Sequence, residues 1–169
     1  MKNIIKKQIN YSSNTQLFLS SHTFCIVGPR GNASFDTRFL SQTTSLIKLK
    51  KKFICTFFRL FSNMTAGVVL GFTTRVVLIG VGFRIEAFEN HSVKLKIGLS
   101  KLIFFNFPKT IQFLITKKKT SLVLHSIDGQ VLLQTCRKLS DLKFPDVYRG
   151  KGIRYKNQFL VVKQVKKKK

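Results

Sequence analysis

From Ser92 onward the chain alternates. Val93, Leu95, Ile97 and Leu99 are apolar, with Lys94, Lys96 and Gly98 between them. A period of two belongs to a strand with one face on a core and the other in water. The preceding run, FTTRVVLIGVGFRIEAF, is rich in β-branched residues and turns over at Glu89-Asn90-His91. Together these runs predict a long antiparallel hairpin. TIQFLITKKKTSLVLHS predicts a second hairpin, with Lys117-Lys118-Lys119 at its turn. The period then changes. In SIDGQVLLQTCRKLSDLK, Ile127, Val131, Leu132, Cys136, Leu139 and Leu142 approximate one helical face. Ser126 or Asp128 serves as N-cap, and Pro145 stops the helix. Four strands, a helix and a basic extended tail make a compact α+β unit from about Gly67 onward.

The first third has a weaker pattern. TQLFLSSHTFCIVGPRGNASFDTRFL alternates around Gly28-Pro29-Arg30-Gly31-Asn32, which is turn chemistry, and predicts a β-hairpin centred there. In SLIKLKKKFICTFFRLFSNM, Ile47 to Lys50 alternates, while Leu46, Leu49, Phe53, Phe57, Leu60 and Phe61 follow helical spacing. The expectation is a strand passing into a helix that ends near Ser62-Asn63.

Charge changes the picture. The 169 residues carry 31 Lys plus Arg against six acids, a formal net charge of +25. Self-repulsion on that scale points to a permanent polyanionic partner, nucleic acid first and an anionic membrane surface second. Hydrophobic content of 44% is enough for a core, so the chain is more than a basic tail. Arg75 interrupts the best apolar run, Val68 to Phe83, so no membrane span is expected. Cys25, Cys55 and Cys136 are odd in number and form no CxxC, which fits isolated reduced thiols. His22, His91 and His125 lie far apart with no Cys or His at ligand spacing, so neither a metal nor another cofactor is expected.

Two glycine pairs invite a phosphate-loop reading, and both fail it. GVGFR, Gly80 to Arg84, follows a strand but leads into more strand-like sequence, with no helix N-terminus to hold a pyrophosphate. Glycine within a strand more often marks a bulge or a close backbone approach. YRGKGIRY, Tyr148 to Tyr155, lacks P-loop spacing. Its glycines let the backbone turn tightly and come near a partner. Arg149, Lys151 and Arg154 then supply phosphate contacts, and Tyr148 and Tyr155 offer faces for stacking, against the plainer reading of a solvated basic loop. Glu86 and Glu89 are the one close carboxylate pair, and they flank a turn. No nucleophile–base order stands out, and the chain reads as a non-enzyme.

These residues carry a family likeness. FPDVYRGKGIRY closely resembles P-E-P-Y-K-G-K-G-[IV]-R-Y, the C-terminal signature of the ribosomal protein L-six family of the large subunit. Pro145, Tyr148, Gly150, Lys151, Gly152, Ile153, Arg154 and Tyr155 match position by position, with Asp146 for Glu and Val147 for Pro. NMTAGVVLGF and LIGVGFR resemble the family's N-M-x-x-G-V-x-x-G-F and L-x-G-V-G-[YF]-[RK]. LKIGLSK resembles L-x-[LI]-G-[FY]-S-H, with Lys101 in place of His. The likeness covers Ser62 to Lys169, and the N-terminal third matches poorly.

The resemblance implies an α+β fold of two small related antiparallel-sheet-plus-helix domains, the N-terminal one degenerate, with a basic C-terminal extension. The expected boundaries are 1–65, 66–142 and 143–169. It implies no catalysis, no cofactor and no small-molecule substrate. The implied partners are large-subunit rRNA near the sarcin–ricin loop and the factor-binding stalk base, together with neighbouring large-subunit and stalk-base proteins. The implied RNA-facing residues are Tyr148, Arg149, Gly150, Lys151, Gly152, Arg154, Tyr155 and Lys156. To these the tail adds Lys163, Lys166, Lys167, Lys168 and Lys169, and the β-turn adds Ser100 and Lys101. An organelle nucleoid or architectural nucleic-acid-binding protein is the alternative, although no helix shows a basic face for a groove. A lysine-tail membrane protein lacks an apolar anchor. Seventeen Phe, no Trp and abundant Lys, Ile and Asn are typical of an AT-rich organellar gene. The start, MKNIIKKQINYSSNTQLFL, has transit-peptide composition. Retained, it leads to the expectation of an organelle-encoded protein of the mitochondrial ribosome, with the plastid as alternative.

Overall fold

Pro29 and Arg30 separate two strands that pair back on themselves, as the turn chemistry requires. The computed structural model describes residues 15–19, 23–36 and 50–164. The described residues form two compact units. One runs up to Phe72 and includes Ile127–Gly129; the other comprises Thr73–Ser126 and Gln130 onward. Among them the architecture is α+β, with antiparallel pairing and two helices.

In the first unit, β1 (Gln16–Leu19), β2 (Thr23–Gly28) and β3 (Gly31–Asp36) form a sheet in that order, with both pairings antiparallel. Phe24 and Ile26 alternate inward from β2 and join Leu17 and Val68 in a buried cluster. Val68 belongs to α1 (Lys50–Val69). Phe61, Met64 and Val68, spaced three and four apart, lay one stripe of that helix on the cluster. The Arg30 amide at the hairpin turn donates to the Val68 carbonyl at 3.1 Å, which satisfies one of the acceptors a helix end leaves open. The helix runs past the expected stop at Ser62-Asn63, because the apolar stripe continues through Met64 and Val68. It ends where the Ala66 carbonyl accepts from Leu70 and Gly71 together, with Gly71 at a φ of +71°. The strand expected at Ile47 to Leu49 lies outside the described residues.

In the second unit, β4 (Phe72–Ile79) does not continue into the next strand as one arm of a hairpin. The chain breaks at Gly80–Phe83, and β4 joins a four-stranded sheet with β8 (Ile111–Ile115), β9 (Ser121–Ser126) and β10 (Gly152–Tyr155), in the order β10-β4-β9-β8. The strands after the break, β5 (Arg84–Glu89), β6 (Ser92–Lys96) and β7 (Ile103–Asn106), make a separate antiparallel sheet. Phe83 explains the break. A Cβ on Gly80 would lie 2.8 Å from its ring, and one on Gly98 would lie 3.0 Å from it. The close approach expected of GVGF is therefore made to an aromatic side chain of the same unit.

The expected turns at Asn90-His91 and Lys117–Lys119 are present, the latter joining β8 (Ile111–Ile115) to β9 (Ser121–Ser126). The expected helix is α2 (Gly129–Asp141), with Leu132, Cys136 and Leu139 buried. Strand β7, in LIFFNF, was not predicted, and neither was β10 (Gly152–Tyr155), which lies inside the segment read as a loop.

Cys136 is buried, and desolvation raises its thiol pKa to about 11. The neutral thiol is therefore the form the fold favours. That preference is fully present below the ordinary value of 9.0 and is lost as pH rises through about 11. In a protein with Cys25 and Cys55 replaced by serine, iodoacetamide at pH 8 should label Cys136 no faster than the chain unfolds. Rapid labelling of folded protein would contradict this burial.

Candidate nucleic-acid interface

After α2 the chain closes a small loop around one carboxylate. Asp146 Oδ1 accepts from the Tyr148 amide at 3.2 Å, and Oδ2 accepts from the Arg149 amide at 3.3 Å. The Asp146 carbonyl accepts from Gly150 at 2.8 Å, and the Asp146 amide donates to the Lys151 carbonyl at 2.9 Å. An aspartate at the head of a tight turn does this because its short side chain reaches the amides two and three residues on. In the sequence Asp146 is marked only as standing where the family signature has Glu. The signal that would have found it is an acid four residues before a glycine in a turn. That glycine, Gly150, has a φ of +64°, where an L side chain is strained.

Gly152 then carries the chain into the sheet. Its φ is +155°, and a Cβ there would lie 2.6 Å from Pro145 Cα and 2.7 Å from the Phe144 carbonyl oxygen. The approach expected of this glycine toward a partner is thus made to the protein's own backbone. Ile153 donates to the Lys143 carbonyl at 2.9 Å and buries its side chain. Strand β10 pairs antiparallel with β4, Gly152 opposite Ile79 and Arg154 opposite Val77.

The side chains divide accordingly. Tyr148 is 55% exposed and Arg149 is exposed, so both are open to a ligand. Lys151 and Arg154 are half-buried. Tyr155 is also half-buried, and its hydroxyl pKa is raised, first by desolvation, then by Cys136 and Asp141, with Arg137 opposing. Tyr148 is therefore the freer stacking face. Beyond the strand, the Lys156 backbone amide donates to the Arg75 carbonyl, and the Lys163 backbone amide donates to the Val147 carbonyl, each at 2.9 Å. The second bond folds the tail back and brings Lys163 to the loop that holds Tyr148 and Arg149. Ser100 and Lys101 are exposed on the β6–β7 connection, which belongs to the other sheet. None of the hydrogen bonds named above reaches them. Lys166, Lys167, Lys168 and Lys169 lie outside the described residues.

Chemically, the arrangement is a stiffened loop with outward cations and one open aromatic ring. No group of three His, Cys, Asp or Glu suited to a metal occurs among the described residues, and no described helix is long and apolar enough to cross a membrane.

Two substitutions separate the roles of the loop. Gly152→Val should destabilise the folded chain by about 1–3 kcal/mol or more, since Pro145 backbone cannot yield as a side chain would. Asp146→Ala should cost about 1 kcal/mol and speed amide exchange at Tyr148 and Arg149, with Asp146→Asn partly restoring protection. Thermal melts and exchange rates check both. A Gly152→Val protein that melts like the parent would show that β10 is not held this way.

No family model matches the chain. Curated relatives do. The large ribosomal subunit protein uL6 of Thermodesulfovibrio yellowstonii is 31% identical over 175 residues, covering 96% of each chain. The uL6 proteins of Ruegeria pomeroyi and Thioalkalivibrio sulfidiphilus are 30% and 28% identical over 179 residues, covering 99% of this chain and all of theirs. The similarity thus extends through the N-terminal third, beyond the Ser62 limit of the quoted motifs. With a loop built on the family's signature and an identity of this extent, the chain belongs to the uL6 family of large ribosomal subunit proteins.

Proposed function

We propose that the chain is a structural component of the large ribosomal subunit, bound to its rRNA through the Tyr148–Lys163 segment. The observation that carries this reading is the Asp146-centred loop, which holds Arg149 outward and fixes Lys151 and Lys163 beside it. The chain has no enzymatic role. The site is near the sarcin–ricin loop and the base of the factor-binding stalk. The partners there are rRNA, neighbouring large-subunit proteins and stalk-base proteins. The ribosome is that of the mitochondrion, with the plastid as the alternative.

The mechanism is electrostatic positioning. Each cation that meets a phosphate releases condensed counterion, so affinity falls with salt at a log–log slope of about −0.7 to −0.9 per contact. A preformed loop loses less conformational freedom on binding than a mobile one. Folded rRNA is recognised through shape and backbone more than through base edges, which suits a fixed display of cations.

The loop and the tail should behave differently. Arg149→Ala with Lys151→Ala should weaken binding to a large-subunit rRNA fragment and reduce co-sedimentation with mitochondrial large subunits. Deleting Lys166–Lys169 should weaken binding to that fragment and to an unrelated RNA helix by similar factors. It should also make the salt slope shallower by about 1–3 units. A full-length chain that fails to travel with large subunits at low salt would sink the proposal.

A further inference from the structure

Phe88 and Phe104 lie on the β5-β6-β7 sheet, 48% and 54% exposed, with ring centroids 5.1 Å apart in an edge-to-face pair. Lys94 Nζ stands 4.5 Å from the Phe88 centroid and 5.5 Å from that of Phe104. Register explains the grouping. Lys94 is opposite Phe104 on β7 and Glu86 on β5, and a bulge between Ala87 and Glu89 leaves Phe88 as the extra residue. Two paired, half-exposed phenylalanines forgo burial that would stabilise the fold, which marks a contact surface more than a solvated one. One period along β6 from Lys94 stands Lys96, opposite Arg84. The next residue, Ile85, donates to the Lys119 carbonyl at 2.8 Å, which draws the exposed Lys117–Lys119 turn to that end of the strands.

We infer that this face is a second RNA contact that takes one unpaired nucleotide, its base stacked on the Phe88–Phe104 pair. The RNA backbone follows Lys94, Lys96 and Arg84 toward the lysine turn. This rests on the rRNA reading above and adds a site to it. Rings alone would suit a protein partner equally well. Cations in register beside the rings, leading to three consecutive lysines, are complementary to a polyanion. Aromatic faces stack on any base, and the phosphates meet the cations. The acid beside Lys94, Glu86, is placed to accept from a base's exocyclic amine, as carboxylates do. A continuous duplex keeps its bases stacked inside and gains nothing from the rings, so the site prefers an unpaired nucleotide.

The test uses the full chain with a mixed-sequence single-stranded RNA of about 12 nucleotides, and a blunt duplex of equal length. The parent should bind the single strand in preference to the duplex at matched charge. A Phe88→Leu, Phe104→Leu double variant, which keeps apolar packing and should melt near the parent, should lose about tenfold on the single strand. Its preference over the duplex should collapse. Zero-length ultraviolet crosslinking should attach RNA at Phe88 or Phe104. The inference is overturned if the leucine variant keeps the parent's preference, or if crosslinks fall only within Tyr148–Lys163. It is also overturned if crosslinking in assembled subunits joins this face to a neighbouring protein. Failure of the rRNA reading has its own signature, an Arg149→Ala, Lys151→Ala protein that binds rRNA like the parent, and is scored separately.

Discussion

The approach of Gly152 to the Pro145 backbone is the constraint on which the folded C-terminal segment depends. Left to its charge, a segment with lysine or arginine at 143, 149, 151, 154, 156 and 163 would extend into solvent. It is held because Ile153 is buried, Ile153 donates to the Lys143 carbonyl, and β10 pairs with β4. All three need the chain to pass Pro145 at a distance that admits no Cβ. The apolar gain of one isoleucine is about 2–3 kcal/mol. Repulsion among partly exposed cations is screened by water and salt, so a modest anchor of this kind suffices. The loop between Asp146 and Gly150 then has fixed ends. Its carboxylate can order the two amides it faces.

The same device recurs where the family motifs lie. Gly80 and Gly98, from GVGF and KIG, both face the Phe83 ring. Gly67, from NMTAGVV, faces the Ile127 carbonyl. In each case the motif is a packing requirement before it is a binding one. A short sequence signature can therefore identify the fold and still say little about which residues touch RNA. Ile153 sits in the signature and is core; Asp146 departs from the signature and is the residue that shapes the loop.

Alternation and turn chemistry made much of the fold legible. The β2–β3, β5–β6 and β8–β9 hairpins and α2 follow from local period and local turns, and local patterns are what a sequence displays. The break between β4 and β5 was hidden, because Val76 to Phe83 reads as one apolar run and only the Phe83 ring interrupts it. Strand β7 was hidden because LIFFNF is apolar on both faces and shows no alternation to read. Strand β10 was hidden by composition, since four residues among cations look like a solvated loop until Ile153 is seen to be buried. The position of Lys163 at the loop depends on one long-range hydrogen bond, to Val147, for which no local pattern exists.

The distribution of polar groups shows how so basic a chain keeps a folded core. The buried polar residues among those described are serines and threonines, and none is charged. Thr135 returns its hydroxyl to the Val131 carbonyl, and Ser126 donates to the Thr110 carbonyl, so these two hydroxyls are satisfied without any ion. The described cations are instead exposed or half-buried, where hydration offsets their charge and a polyanion can reach them. Desolvation of charge, the costliest term in burial, is thereby deferred from folding to binding. Where a polyanion meets such cations, phosphate replaces water and released counterions supply the driving force. Folding and binding are linked in one direction as a result. Any polyanion that meets the cations of the folded chain in their fixed places stabilises that fold by mass action, and the units need no buried ion pair to reach it.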